Sequence, residues 1–326
     1  MSNDVRHFTV SQDDDGQRLD RWLKRMCPEI PFVLSQKLIR TGQIRIDGKR
    51  AKPDTRLAAA QEVRLPPVQH KEKSDGYRLR DNDAEVMRKA VLFDDGDILA
   101  INKPAGIASQ GGNKIERHID GMLEALVDKQ GVKPRLVHRL DRDTSGVLLL
   151  ARSAEMARRL GAMFAGRDMK KIYWAVTVGV PAQPLGEIRA ALRKEESGPD
   201  KDKMVVDEQN GQKAATLFEV AEYAGKRAAF VVFMPKSGRT HQIRVHAASM
   251  LGCPLLGDRK YGGADAVIEG PGVAGRLHLH ARSLTFRHPK TGKAMTIDAP
   301  LPDDMKRTFD AFGFALHSAK GLFADE

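Results

Sequence analysis

From Leu136 to Ala151 the chain reads Leu-Val-His-Arg-Leu-Asp-Arg-Asp-Thr-Ser-Gly-Val-Leu-Leu-Leu-Ala, a dense polar cluster held between two apolar runs. Within it Asp141 lies close to Arg139 and Arg142, and neighbouring cations favour the ionised carboxylate. A carboxylate held in that state can attack as a nucleophile, accept a proton as a general base, or form one half of a structural ion pair. The local sequence leaves all three open. A distant candidate partner is Arg239, in Pro235-Lys-Ser-Gly-Arg-Thr-His-Gln-Ile-Arg-Val-His246, a turn that runs into a helix. A cation near a helix N-terminus is unfavourable unless an anion sits opposite, so Arg239 suits a phosphate or Asp141. Tyr173, in a strand-like segment, is either a core residue with a tethered hydroxyl or a stacking face for a base.

Other chemistries fit less well. His138, His241, His246, His278 and His280 fall in well-punctuated segments, yet none has metalloprotease spacing and no cysteine pair accompanies them. Kinase chemistry would need a glycine-rich loop and an Asp-Phe-Gly element; a serine hydrolase would need a Gly-x-Ser-x-Gly elbow. Both are absent from the sequence. Asp141 and Asp143 are two apart and would point to opposite faces of an extended chain, which disfavours a glycosidase pair. Gln110-Gly111-Gly112 lacks the spacing of a nucleotide fingerprint. A single carboxylate acting alone remains.

The elements that would hold this cluster follow from periodicity. Val91–Phe93 and Ile98–Ile101 flank Asp94-Asp-Gly-Asp97 as a hairpin that ends at Lys103-Pro-Ala-Gly106. Leu136-Val137 and Val147–Ala151 read as buried strands with Gly146 as the hinge. Met156, Leu160, Met163 and Phe164 recur at helical spacing. Lys170–Val178 is a strand, Ala215–Glu222 and Ala228–Met234 form a second hairpin, and Leu284–Phe286 with Met295–Ile297 a third. Phe309–Phe314 reads as a closing helix, and the tail from His317 carries no strong structural signal.

At the other end of the chain, Leu19, Trp22, Leu23 and Met26 form one apolar stripe, leaving Arg18, Arg21, Lys24 and Arg25 off it. A second short helix buries Leu34 and Leu38 and exposes Lys37 and Arg40. Gln43-Ile-Arg-Ile-Asp-Gly-Lys-Arg50 alternates and turns at Asp-Gly, and Glu62–Leu65 supplies another strand. Between Val68 and Arg88 the sequence is charged and poor in aliphatics, as in a linker. Over the whole chain 54 Lys and Arg oppose 43 Asp and Glu, a net charge of +11 that suits a polyanionic partner. Hydrophobic residues at 41% are enough for folded domains, no apolar run is long enough to span a membrane, and Met1-Ser-Asn-Asp4 lacks a signal-peptide core. With only Cys27 and Cys253 far apart, reduced thiols and a cytoplasmic setting are expected.

The Arg18-Leu-Asp20 helix start, Leu38-Ile-Arg-Thr-Gly-Gln-Ile-Arg-Ile-Asp-Gly-Lys49 and Glu62-Val-Arg-Leu-Pro66 resemble the S4 RNA-binding domain. That resemblance implies phosphate contacts by Arg18, Arg21, Lys37, Arg40, Arg45 and Lys49, which supply affinity and register rather than base choice. Downstream, His138-Arg-Leu-Asp-x-x-Thr-Ser-Gly-Val-Leu-Leu149, Lys171-x-Tyr173, Gly238-Arg-Thr-His-Gln-Ile-Arg-Val-His246, Gly257-Asp-x-x-Tyr-Gly262 and Arg276-Leu-x-Leu-His-Ala281, in this order, are similar to the RluA family of pseudouridine synthases. With the S4-like segment in front, the chain is most similar to the RluC-type branch acting on large-subunit (23S) ribosomal RNA. One departure is Gln110, where the family pattern has a histidine.

The resemblance implies that Asp141 attacks the target nucleotide, letting the uracil detach, turn and rejoin the ribose through carbon. Tyr173 would pack on the flipped base and serve in removing its proton, and Arg239 would pair with the aspartate. Arg139 would enter the RNA stack in place of the extruded base, with Leu279 as an apolar wall. Base flipping is required because the reacting atoms are shielded inside a stack. No cofactor and no metal are implied, and 23S ribosomal RNA or its precursor is the implied partner of a monomer. The expected fold class is α+β: an S4-like αα-β domain over 1–67, a linker over 68–88, a catalytic domain with a mixed, mainly antiparallel sheet over 89–316, and a tail over 317–326. The rival readings are a non-catalytic S4-type RNA-binding or ribosome-assembly factor, and a synthase acting on a different structured RNA.

Overall fold

The computed structural model describes residues 5–67, 77, 79–112, 115–166, 168–198, 201 and 203–323. The chain divides into two units, Met1–Gly76 and Tyr77–Glu326. In the first, β1 (Arg6–Thr9) precedes α1 (Leu19–Met26) and α2 (Phe32–Arg40), followed by β2 (Arg45–Ile46), β3 (Lys49–Arg50) and β4 (Glu62–Leu65). Leu19, Trp22 and Leu23 of α1 are buried with Ile39, Ile44 and Val63, so the helical stripe builds the core; Met26, at the end of the stripe, is 39% exposed instead. Trp22 donates from Nε1 to the buried Asp14 at 3.0 Å, satisfying both groups. The four strands lie in the antiparallel order β1-β4-β2-β3, and the tight β2–β3 connection has Asp47 and Gly48 at φ 48° and 74°, the geometry that Asp-Gly favours.

The second unit opens with α3 (Asp81–Lys89), so residues 81–88, expected to be linker, are helical. Ala84 and Met87, three apart, are buried, and Asp83 accepts from Tyr77 and from Arg117 at 2.6 Å; this tertiary anchoring outweighs a charged local sequence. The earlier part of that expected linker, 68–76, lies outside the described residues. Then come β5 (Val91–Asp94), β6 (Ile98–Lys103), α4 (Ile119–Met122), β7 (Arg135–Leu136), β8 (Ser145–Ala151), α5 (Ala154–Gly166) and β9 (Lys170–Val178). They are followed by β10 (Leu185–Arg189), β11 (Leu192–Lys194), β12 (Met204–Val206), β13 (Ala215–Ala224), β14 (Ala228–Pro235) and α6 (Gln242–Val245). Last are β15 (Leu279–Arg287), β16 (Ala294–Asp298) and α7 (Asp303–Phe312).

One large sheet runs β10-β13-β14-β9-β15-β8-β6-β5, with β16 on β15 and β7 on β8. Every pairing is antiparallel except β15 with β8, where His280 faces Ser145 and Ala281 faces Gly146. Both faces are covered: α3 and α4 pack over Leu99, Ile101 and Leu148, and α5 over Ala100, Leu149 and Ala151. This explains why β8 and β14 are apolar runs without alternation, since every residue in each is buried. The closing helix lies earlier than its expected position, and residues 317–323, for which the sequence carries no strong signal, are packed. Phe323 and Leu322 rest against the α7 core, and Glu222 accepts from the Ala315 amide at 2.9 Å.

Candidate active site

Loop 137–144, between β7 and β8, carries the polar cluster and is pinned at several points. Ser109 Oγ donates to the Leu140 carbonyl at 2.6 Å and accepts from the Leu140 amide at 3.0 Å. His138 stacks on Phe164 at 4.1 Å and accepts at Nε2 from the Leu149 amide at 2.8 Å. Lys103, fully buried, donates from Nζ to the carbonyls of Pro104 and Ile107 at 2.8 Å and of Arg142 at 3.1 Å. Its ammonium therefore ties the Lys103-Pro-Ala-Gly106 turn to the residue following Asp141. Burial pushes this lysine down to about 7, against the pull of Asp143 and Asp141.

Asp141 opens into a cavity of about 260 Å³ that is also lined by Arg139, Tyr173, Arg239, Leu279, His241 and Arg244. The five site residues expected in this domain thus come together from four separated segments. Arg139 is exposed and Leu279 is 3% exposed. Burial, and then the Asp141 charge, push the Tyr173 phenol far above its ordinary range, so it is protonated at neutral pH. A wider groove of about 1390 Å³ shares Lys171, Pro235 and Ser237 with this cavity and carries Arg189, Lys213 and Arg287 on its walls.

The expected pairing of Asp141 with Arg239 is not formed. Arg239 is exposed, its amide donates to Gln242 Oε1 at 3.0 Å, and its guanidinium Nε reaches the Lys213 carbonyl at 3.5 Å. The basic side chain nearest to Asp141 among the described residues is His241, with Nε2 3.8 Å from Oδ2. The reason lies in the backbone: His241 adopts the left-handed conformation immediately before α6, leaving Arg239 on the outer turn and burying Arg244 one helical turn further on. Arg244 makes two bonds to Asp258, Nε to Oδ2 at 2.8 Å and Nη2 to Oδ1 at 2.7 Å, and lies over the Tyr261 ring at 5.0 Å. Burial opposes its charge, but Asp258 and, more weakly, Asp141 hold its pKa above the ordinary value. Arg244 and the Asp258–Tyr261 segment are residues the sequence reading missed. Their motifs were visible, but which arginine turns inward was not.

His138, His246, His278 and His280 are hydrogen-bonded packing groups. Burial lowers His138 to about 3 and His278 and His280 to about 4, and lowers His246 as well. Among the described residues Asp95, Asp97 and His288 form the one cluster of metal-like composition. His288 Nδ1 accepts from the amides of Lys290 and Thr291 at 3.1 and 3.2 Å, which puts the ring proton on Nε2, facing Asp95. A protonated Nε2 has no lone pair for a cation, and Lys290 Nζ already occupies Asp97 at 2.7 Å, so these residues anchor a turn.

In the first unit Arg21, Lys37, Arg40, Arg45 and Lys49 are exposed. Arg18 is half-buried and bonded to Asp20 at 2.8 Å, and Arg45 donates to the Gly42 and Gly48 carbonyls. No helix among the described residues is long and apolar enough to cross a membrane.

Comparison with known proteins agrees with this arrangement. Residues 97–249 match the family of RNA pseudouridylate synthases and residues 17–63 match the S4 domain. The ribosomal large subunit pseudouridine synthase C of Pasteurella multocida is 36% identical over 94% of this chain and 94% of its own length. The protein of the same name from Escherichia coli K12 is 34% identical over 93% and 95%. A solved structure of human RNA pseudouridylate synthase domain containing 4 is 27% identical, covering 72% of this chain and 96% of its own, with a TM-score of 0.59. With a carboxylate-lined cavity on a mixed sheet and relatedness at 34–36% identity over nearly the full length, one conclusion follows: this chain belongs to the RNA pseudouridylate synthase family.

Proposed function

We propose that this protein converts uridines of large-subunit ribosomal RNA into pseudouridine, with Asp141 as the attacking carboxylate. The observation that carries the reading is the convergence of Arg139, Asp141, Tyr173 and Leu279 on one cavity of about 260 Å³. The names of relatives similar over 94% of the chain support the choice of RNA.

In this reading a uridine leaves its stack and enters the cavity, and the exposed Arg139 fills the space it vacates. Unstacking costs a few kcal/mol, which contacts with Leu279 and the Tyr173 ring offset. Asp141 bonds to the ribose carbon as the ring nitrogen departs with its electron pair. The uracil turns, its ring carbon displaces the carboxylate, that carbon loses its proton and the freed nitrogen gains one. Bonds formed and broken balance without any redox change. Tyr173, held protonated by burial and by Asp141, acts as a stacking face and hydrogen-bond donor; in the resting site it is not a phenolate base. Basic side chains along the adjoining groove bind phosphates of the RNA, and the exposed arginines and lysines of the S4 unit bind phosphates in their own right.

Asp141→Asn tests the reading. Pseudouridine formation in transcribed large-subunit ribosomal RNA should fall below detection while RNA affinity stays within about twofold, since a half-buried carboxylate makes no attractive contact with phosphates. Undiminished product would leave an RNA-binding or assembly factor as the better reading.

A further inference from the structure

The segment around His241 has features that the proposed reaction does not use. His241 has φ 53° and ψ 19°, a left-handed conformation that a non-glycine residue adopts at a cost and that clusters at functional sites. Its Nδ1 lies 2.5 Å from the Tyr261 hydroxyl, and its Nε2 lies 3.8 Å from Asp141 Oδ2. The Tyr261 oxygen also accepts from the Met204 amide at 3.1 Å.

These contacts favour one arrangement of the protons. With its oxygen accepting from the Met204 amide, the Tyr261 hydroxyl has one proton to give, and His241 Nδ1 is within reach to accept it. Burial lowers His241 to about 4 against the pull of Asp141, so at neutral pH the ring is uncharged and carries a single proton. With Nδ1 accepting, the proton is on Nε2, the atom nearest the carboxylate. Burial keeps Tyr261 itself protonated. Arg244 lies over its ring, and its backbone amide donates to Asp258 Oδ1 at 3.3 Å.

We propose that Met204, Tyr261 and His241 form a tautomer lock that presents an Nε2–H donor to the Asp141 carboxylate, making His241 and Tyr261 positioning residues for the nucleophile. This rests on the reading of Asp141 as nucleophile. At 3.8 Å the donor is about 0.6 Å beyond hydrogen-bond reach, and such contacts tighten once substrate occupies a site. A neutral donor orients the carboxylate without neutralising it as a bonded cation would. Remove the Tyr261 hydroxyl and the imidazole is released to carry its proton on Nδ1, which turns the Nε2 lone pair against the carboxylate.

The test measures kcat, KM and the pH profile on transcribed large-subunit ribosomal RNA for Tyr261→Phe, His241→Gln, His241→Ala and the Phe/Ala double variant, with Asp141→Asn as the control. The other charges facing this pair, Lys103, Arg244, Asp258 and Lys260, are unchanged in all of them. Tyr261→Phe should lower kcat about tenfold with KM within about twofold and move the acidic limb of the profile upward by about half a pH unit. His241→Ala should lose about a hundredfold, His241→Gln, whose amide can donate, should recover about tenfold of that, and the double variant should be no slower than His241→Ala. Unchanged kcat, additive losses, an unmoved acidic limb or no advantage of glutamine over alanine would each overturn the lock. An active Asp141→Asn would instead overturn the nucleophile reading beneath it.

Discussion

Gly146 approaches the Ala281 carbonyl so closely that a Cβ at position 146 would stand 2.2 Å from its oxygen, and Gly146 itself has φ 115°. This contact is where β8 leaves the Asp141 loop and meets β15 in parallel. Gly146→Ala should therefore force the two strands apart, and the expected loss is at least about 3 kcal/mol, combining backbone strain with steric displacement. Urea unfolding of the purified variant checks it; a loss below about 1 kcal/mol would mean the strands can adjust.

Lys103 gives a pH dependence with a defined sign. Its pKa falls from an unfolded value near 10.5 to about 7 on burial, so between those values the unfolded chain holds more protons than the folded one. Stability should rise with pH across that window, by up to about 1.4 kcal/mol per pH unit, relative to a variant without the group. Lys103→Met is that variant. Denaturation of both proteins at pH 7, 8 and 9 should show the wild type gaining on it, and parallel curves would refute the shift.

Arg244 and Arg239 should separate cleanly. Asp258→Asn leaves a buried guanidinium without its counter-charge and should cost about 3–5 kcal/mol, while Arg239→Ala, on an exposed turn, should change stability by less than about 0.5 kcal/mol. Arg244→Gln should also reduce kcat more than Arg239→Ala does. Thermal melts and single-turnover assays of the same preparations decide both points.

In the S4 unit, side chains with their donors committed should matter less than exposed ones without such bonds. Arg21→Ala should weaken RNA binding and make the log–log salt slope shallower by about one. Arg45→Ala should do so less, because its guanidinium already serves the Gly42 and Gly48 carbonyls. Filter binding over a salt series distinguishes the two.

What was legible in the sequence were features set within one element. The stripe Leu19, Trp22 and Leu23, the Asp47-Gly48 turn and the apolar runs of β8 and β14 express periodicity and turn chemistry, which need no knowledge of the rest of the chain. Asp141, Tyr173 and Leu279 were visible as candidates through the motifs that hold them, and the tertiary structure gathers them on one cavity. Helix α3 was not legible, because a charged stretch is held helical by Met87 in the core and by Arg117, 34 residues away from Asp83. Nor was the choice between Arg239 and Arg244. Two arginines five residues apart have equal local claims on an aspartate, and a single left-handed residue, His241, decides which of them enters the interior. Residue types and element periods are local properties that sequence alone determined; partner and proton position depend on backbone direction and long-range packing, which only the folded chain supplies.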